Sequence, residues 1–319
     1  MRNTRQIQIT ILVATLIWAP IVCRAQMILG LEKNFIETYK DKATITTRFH
    51  LDAVPAHADP HPIGEGSKDG DIHIAGRDSV VRLPLVAEII NARKEPKSLT
   101  FLKNLLNEGA LGKEIDLTGV WRIWFEHLSK KPQIQKEAFP VPDDSGMPHA
   151  FELHPVTMFD TFDCRDSFVP IKSNTKEFKA YDAIRAFTEE YEKLKVDIEL
   201  QGTLVKLTAG LGQINYTEFI MQLEGKPKSV GDGFIVPAKV YEVGEEDQPI
   251  VKNNRRMIFV KDTQPAQALS GLVKGDRLHV LGIPRVDLHA VFLIVNKLGL
   301  NEKYEGSLPY EMIIVAILK

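Results

Sequence analysis

Phe151-Glu152-Leu153-His154-Pro155-Val156 alternates apolar and polar residues, which is the period of a β-strand whose two faces meet different surroundings. An earlier run, Asp69-Gly70-Asp71-Ile72-His73-Ile74, has the same period. Each run places an acidic residue and a histidine two positions apart on one strand face: Asp71 with His73, and Glu152 with His154. These two runs predict a β-protein with a polar patch on one wall.

Working outward from these runs, the chain from 43 to 160 predicts strand, strand, strand, helix, strand, strand. Alternating patterns predict strands at 43–54, 71–75, 83–92, 113–125 and 150–159. At 98–107 the apolar residues recur at three and four, which predicts a helix capped by Ser98. A helix between the third and fourth of five strands is typical of the OB barrel.

The second half follows the same pattern. It predicts strands at 196–208, 216–223, 234–243, 255–260, 277–283, 288–295 and 310–318, with a short helix at 265–272. The run Thr118-Gly119-Val120 has a counterpart in Leu281-Gly282-Ile283. A repeat of this length suits two tandem domains. We therefore predict a mainly β fold of two OB-like five-stranded barrels with short helices, joined by a linker that carries a helix at 175–194.

The amino-terminal segment has the features of an export signal. Arg2 and Arg5 precede an apolar run at 7–22, and Cys23-Arg24-Ala25 resembles a cleavage site. An uncleaved membrane anchor is the alternative, which Pro20 disfavours. The predicted organisation is a signal peptide at 1–25, a first OB-like domain at 26–160, a linker at 161–195 and a second OB-like domain at 196–319.

Composition limits the classes of partner. Hydrophobic residues make up 44% of the chain and charged residues 26%, as in soluble globular proteins. The net charge is -2, and removal of the predicted signal with its three arginines makes the chain more acidic. We therefore expect no nonspecific nucleic-acid binding. We expect a periplasmic or secreted protein with no membrane span after cleavage. Its only remaining cysteine, Cys164, allows no intramolecular disulfide.

Residues 45–160 resemble a little-characterised set of exported bacterial proteins with OB-like folds. In that set a Gly-Asp-x-His strand pairs with a Glu-x-His-Pro-Val closing strand. The matching runs are Gly70-Asp71-Ile72-His73 and Glu152-Leu153-His154-Pro155-Val156, together with Val86-Ala87-Glu88-Ile89 and Thr118-Gly119-Val120. The resemblance implies the fold and the place of a site, but no reaction.

In an OB barrel the third strand lies between the second and the fifth. The polar faces of these strands therefore predict one shared surface that carries Asp71, His73, Glu88, Glu152 and His154. Arg122, Glu126 and His127 are expected at its margin. The proline-rich loop at 55–62 brings two further histidines, His57 and His61, which could fold over it.

Three kinds of chemistry suit this set. Imidazoles and carboxylates are ligands of divalent transition metals, with His73, Glu88, Glu152 and His154 as the expected ligands. The same groups could act in general acid-base catalysis. Alternatively, each histidine is hydrogen-bonded to a carboxylate across the strands and only stabilises the sheet. Trp124 could stack a ligand at the barrel surface, or pack against a neighbouring element.

The function predicted first is an exported tandem OB-like binding protein for an oligosaccharide, a nucleotide or a protein partner. Its ligand-binding residues would be Asp71, His73, Glu88, Arg122, Trp124, Glu152 and His154. The alternative is a metal-dependent hydrolase that uses the His/Glu cluster. A structural or assembly protein is a third possibility. The sequence has no phosphate-binding loop and no nucleophile elbow.

Overall fold

The computed structural model describes residues 26–53, 68–92, 100, 112–142, 146–172, 176–245, 247–299 and 302–318. The predicted signal at 1–25, the loop histidines His57 and His61 and nearly all of the predicted helix at 98–107 lie outside these ranges. Among the described residues the fold is mainly β with a few short helices, as predicted. None of the helices in these ranges combines the length and apolar character needed to cross a membrane.

The first barrel is formed by five strands that close on themselves. They are β2 (Thr44–Ala53), β3 (Ile72–Asp78), β4 (Leu85–Ile89), β5 (Glu114–His127) and β7 (His149–Phe159). Around the barrel the order is β2-β3-β4-β7-β5, and β5 pairs again with β2. The pairing of β4 with β7 is parallel, whereas the others are antiparallel. The fifth strand thus lies between the third and the fourth, as in an OB barrel.

The second barrel has the same topology. Its strands are β11 (Thr217–Leu223), β13 (Gly233–Tyr241), β14 (Arg255–Val260), β15 (Arg277–Val286) and β17 (Tyr310–Ile317). The order is β11-β13-β14-β17-β15, closed by pairing of β15 with β11, and again only the third and fifth strands are parallel. Helix α2 (Gln264–Gln267) follows the third strand, and Thr263 caps it. The predicted tandem OB-like barrels are confirmed.

A third sheet combines segments from both halves of the chain. It contains β1 (Gln26–Glu32), β6 (Gln133–Ile134), β9 (Lys195–Gln201), β10 (Leu204–Gly210) and β16 (Lys303–Ser307), in the order β16-β9-β10-β1-β6. Helix α1 (Lys33–Tyr39) follows β1. The minor strands β8 (Phe162–Asp163) and β12 (Lys228–Ser229) extend the two barrel sheets. The single strand predicted at 196–208 is therefore a hairpin that turns at Gly202, and it belongs to this sheet rather than to a barrel.

Two further local predictions differ from the structure. Residues 288–295, predicted as a strand from their apolar content, form helix α3 (Leu288–Val295). The helix forms because the Asp287 side chain caps its first turn, where it accepts a hydrogen bond from the Ala290 N–H at 3.0 Å. The linker helix is confined to a π-helical segment at Ile184–Glu190 and a 3-10 turn at Tyr191–Lys193. The residues before it are extended, because Tyr181 bridges to Thr217 at the start of β11.

Along each barrel strand the residues point alternately inward and outward, and the inward set is apolar. In the first barrel the inward set includes Ile72, Ile74, Ala87, Trp121, Phe151 and Leu153, all buried. The outward residues of the first barrel are also largely buried, because the second half of the chain packs over them. A second apolar cluster, which includes Val120, Tyr216, Ile283 and Ile313, joins the outer faces of the two barrels.

Candidate functional site

A row of polar side chains crosses three neighbouring strands on the outer face of the first barrel. His73 on β3 lies opposite Glu88 on β4 in the antiparallel register. Val86 lies opposite Glu152 on β7, so the same register places Glu88 beside His154 two residues further on. His154 Nδ1 is 2.9 Å from Glu88 Oε2, and His73 Nε2 is 3.6 Å from the same oxygen. The strand pairing therefore brings the two runs onto one wall of the barrel, which is the arrangement that the sequence predicts.

Asp71 and Asp69 extend this row at the start of β3. Asp71 Oδ1 is 3.3 Å from His73 Nε2, and the Asp71 N–H faces Asp69 Oδ1 at 3.4 Å. Both carboxylates are buried, with 2% and 1% of their surface exposed. Burial, followed by repulsion from Asp71, raises the pKa of Asp69 well above its usual range. Asp69 therefore keeps its proton more readily than an ordinary carboxyl group.

Arg122 lies inside the cluster and not at its margin. It is fully buried opposite Glu152 and bonds to the Glu152 Oε2 atom through Nη1. Its Nη2 donates to Glu126 Oε2 at 2.9 Å. Burial alone would raise the pKa of both glutamates, but the guanidinium outweighs it. The pKa of Glu126 falls to about 2 and that of Glu152 falls well below its usual range. Arg122 thus keeps two buried carboxylates ionised.

His149, which the sequence did not single out, completes this end of the cluster. Its Nδ1 is 2.6 Å from the Met147 carbonyl oxygen, and its Nε2 is 3.0 Å from Glu152 Oε1. Its ring stacks on that of His127, with centroids 4.5 Å apart and an interplanar angle of 20°. His127 Nε2 in turn lies 3.2 Å from Glu126 Oε1. Two histidines and two glutamates are thereby linked on β5 and β7.

The second half of the chain closes over the site. Tyr216, just before β11, places its hydroxyl 3.0 Å from His154 Nε2, and Arg122 Nε donates to the Pro284 carbonyl of β15 at 2.9 Å. Burial raises the pKa of Tyr216 well above its usual range, so the hydroxyl keeps its proton. The site therefore lies between the two barrels, and both halves contribute to it.

A cavity of 340 Å³ opens onto the cluster. Its first-barrel wall carries Asp69, Asp71, His73, Glu88, Glu126 and His127. The opposite wall carries Tyr181, Leu211, Gln213 and Asn215. Four of these ten lining residues are acidic and none is lysine or arginine. A cavity of this volume falls in the range of small-molecule sites.

The histidines of the cluster attract protons. Burial opposes a charge on His73, but Glu88 and Asp71 outweigh it and raise its pKa to about 10. For His154 burial is likewise outweighed, mainly by Glu88, and its pKa rises to about 9. Burial also opposes a charge on His127, and Glu126 raises its pKa. Together the carboxylates create a strongly negative potential that favours bound cations, whether protons or metal ions.

In the part of the chain that the structure describes, three overlapping groups of side chains could hold a metal ion. They are Asp71, His73 and Glu88; then Glu88, Glu152 and His154; then His127, His149 and Glu152. In each group the donor atoms lie within 4.8 Å of one another. The four metal ligands predicted from sequence (His73, Glu88, Glu152 and His154) are all among these groups. His154 Nδ1 approaches Glu88 and Glu152 without hydrogen-bond alignment to either.

The second barrel has the same fold, and its residues at the equivalent positions show whether the fold needs a polar row there. Arg285 on β15 pairs with Glu311 on β17, as Arg122 on β5 pairs with Glu152 on β7. Ile313 follows Glu311 by two residues, as His154 follows Glu152. Ile313 pairs with Ile258 on the third strand, and Ile258 pairs with Ile235 on the second strand. The positions of His154, Glu88 and His73 are thus occupied by three isoleucines in the second barrel. The barrel can cover this row with apolar residues, so its topology does not demand a polar row.

Trp124, predicted as a ligand-stacking residue or a packing residue, has 1% of its surface exposed. Its indole packs edge to face on Tyr191 with centroids 5.6 Å apart. A Cβ atom on Gly212 would lie 3.0 Å from the Trp124 Nε1 atom, so the segment after β10 lies directly against the ring. This placement fits the packing role and leaves no open face for a ligand.

Comparison with known proteins does not place the chain in a family. A scan against protein-family models gives no match, and no curated protein sequence matches the chain. The function is therefore argued from the geometry of the site.

Proposed function

We propose that the first barrel binds a divalent transition-metal ion through Asp71, His73 and Glu88, and that the protein is a metal-dependent hydrolase of small substrates. The observation that carries this proposal is the His73-Glu88-His154 row, at positions where the second barrel has isoleucines, with His73 and Glu88 facing an acid-lined cavity. Of the three groups, only Asp71, His73 and Glu88 all line the cavity. An ion held there would have a coordination position open to water and substrate.

The donor spacing supports a shared ion. Metal bonds of about 2.0–2.2 Å to nitrogen and oxygen put neighbouring tetrahedral ligands roughly 3.3 Å apart. The His73 Nε2 atom is 3.3 Å from Asp71 Oδ1 and 3.6 Å from Glu88 Oε2. Small side-chain movements would bring the three donors onto one ion. One imidazole with two carboxylates is a donor set suited to Zn²⁺ or Mn²⁺.

Neighbouring groups would orient this ligand set. His154 Nδ1 lies 2.9 Å from Glu88 Oε2, and its other nitrogen is held by Tyr216. Outer partners of this kind fix ligand orientation and raise metal affinity. His154 and Glu152, predicted as ligands, are assigned here to support the site.

The charge of the cavity favours neutral or cationic substrates. Its described lining residues include four acidic side chains and no lysine or arginine, so a phosphoester or nucleotide would be repelled unless the bound ion offset that charge. A metal-bound water of lowered pKa is the nucleophile that such a site supplies.

Metal analysis after dialysis against Zn²⁺ or Mn²⁺ tests the proposal. We expect bound metal in the wild type, loss of the ion in His73→Ala and Glu88→Gln, and retention in His279→Ala. His279 is a matched control, because it pairs with Glu218 at 2.7 Å on the second barrel, away from the cluster. Metal-dependent cleavage of p-nitrophenyl acetate should exceed that of p-nitrophenyl phosphate. Absence of metal from the dialysed wild type would refute the proposal.

A non-catalytic binding role is the second candidate. The same cavity could hold a small neutral ligand, such as part of an oligosaccharide, without turning it over. Metal loading with no hydrolysis of either ester would favour this role. The export predicted from residues 1–25 also remains a proposal, which sequencing of the mature amino terminus in the native host would test.

A further inference from the structure

We propose a second metal site at His127, His149 and Glu152, next to the ion of the proposed function and resting on it. Glu88 and Glu152 connect the two sites through His154, whose Nδ1 lies between them at 2.9 Å and 3.4 Å. One donor atom from each of the three side chains lies within 4.8 Å of the others. This separation is compatible with a common ion after small rotations of the side chains.

The orientation of His149 is the first argument. A carbonyl oxygen can only accept a hydrogen bond, so the contact of 2.6 Å to Met147 requires a proton on His149 Nδ1. Nε2 is then the nitrogen that faces Glu152 Oε1, 3.0 Å away, and it is the atom of His149 that would bind a metal. A backbone carbonyl on the far nitrogen is a common support for a metal-binding histidine.

The other two side chains are oriented in the same way. His127 Nε2 is 3.2 Å from Glu126 Oε1, and Glu126 is itself fixed by Arg122 at 2.9 Å. This carboxylate-imidazole pair leaves Nδ1 of His127 for a metal. Glu152 has its Oε2 atom on Arg122, which leaves Oε1 for the ion. Each of the three side chains thus has one atom held by a neighbour, and one donor atom of each lies within 4.8 Å of the others.

The charge of the cluster also favours a second cation. Asp69 keeps its proton, so four carboxylates (Asp71, Glu88, Glu126 and Glu152) face one guanidinium, Arg122. With neutral imidazoles three negative charges remain in this region, and uncompensated buried charge is strongly unfavourable. One divalent ion leaves part of this charge uncompensated, and a second ion would offset it.

A count of Zn²⁺ ions per chain, by titration and metal analysis of the folded protein, tests the second site. We expect two ions in the wild type, one in His127→Gln, one in His73→Gln and two in the control His279→Gln. His127 is 40% exposed, so its replacement should leave the fold intact. His149→Gln provides a second variant of the same site, and near-ultraviolet circular dichroism checks that each variant is folded.

The outcomes separate the two proposals. One ion in the wild type that is lost in His73→Gln and kept in His127→Gln overturns the second site only. One ion that is lost in His127→Gln and kept in His73→Gln supports the site proposed here and overturns the ion of the proposed function. No ion in the wild type overturns both.

Discussion

Arg122 and Arg285 donate hydrogen bonds across the contact between the two barrels, each to the residue that precedes the other. Arg122 Nε reaches the Pro284 carbonyl at 2.9 Å, and Arg285 Nη1 reaches the Trp121 carbonyl at 3.0 Å. Both guanidinium groups are fully buried. The two barrels therefore face each other through equivalent fourth strands, and the polar cluster on the first is covered by the second.

Arg122 is predicted to be a main determinant of stability. Replacement by Met leaves Glu152 and Glu126 as buried charges without their cation, which should cost about 3–5 kcal/mol. Arg48→Ala is the control, because Arg48 pairs with Asp116 at 3.1 Å with more than half of both side chains exposed, and its loss should cost less than about 1 kcal/mol. Urea unfolding measures both values. Equal costs for the two variants would contradict this role of Arg122.

The polar row should be replaceable without loss of the fold. His73→Ile, Glu88→Ile and His154→Ile together reproduce the row Ile235, Ile258 and Ile313 of the second barrel. Exchange of buried charges for apolar residues is often neutral or stabilising. We expect cooperative unfolding within about 2 kcal/mol of the wild type, with loss of the ion at Asp71, His73 and Glu88.

This triple variant shows whether the polar row serves metal binding or holds the sheet together. Unfolded protein, or a loss of stability far beyond that range in the metal-free state, would mean that hydrogen bonding in the row holds the sheet together. The control is a conservative change on the second barrel, Ile258→Val, which should cost about 0.5–1.5 kcal/mol.

Without metal, stability should fall as the pH rises above neutrality. The folded-state pKa values of His73 and His154, about 10 and about 9, lie above the value of 6.5 expected in the unfolded chain. Their contribution is therefore complete below about pH 6.5 and is lost as the pH rises through 9 and 10. Melting curves of chelator-treated protein at pH 6.5 and 9.5 measure the effect. A melting temperature that falls equally in the wild type and in His73→Gln combined with His154→Gln would exclude these histidines as its source.

Tyr216 is predicted to support the metal site from the second half of the chain. Tyr216→Phe removes the partner of His154 Nε2, and loss of such an outer contact typically lowers metal affinity about 10–100-fold. Tyr241→Phe is a matched control, because the Tyr241 hydroxyl donates to Gln222 at 2.6 Å on the second barrel. Calorimetric titration with Zn²⁺ compares them. Equal affinity in both variants would show that the second half only covers the site.

The convergence of His73, Glu88 and His154 could be predicted from sequence, because strand period and OB strand order together fix which side chains share a face. The central place of Arg122 could not, since register shifts in β5 between Gly119 and Trp121 and between Ile123 and His127 break the alternation. No spacing rule connects Tyr216 to His154. Their contact depends on how the two barrels pack.

Helix α3 shows a second reason why a sequence pattern can mispredict an element. Residues 288–295 are apolar and partly β-branched, a composition that favours strands, and the decisive signal was the single capping residue Asp287. His149 was overlooked because it stands at the very start of β7, where an alternating pattern has not yet begun.

The most direct measurement is anomalous diffraction at the zinc edge from crystals grown with Zn²⁺. We expect a peak within bonding distance, about 2.0–2.2 Å, of donor atoms of Asp71, His73 and Glu88 in the wall of the cavity. Peaks confined to the molecular surface, with water and hydrogen bonds filling the space between these three side chains, would contradict it.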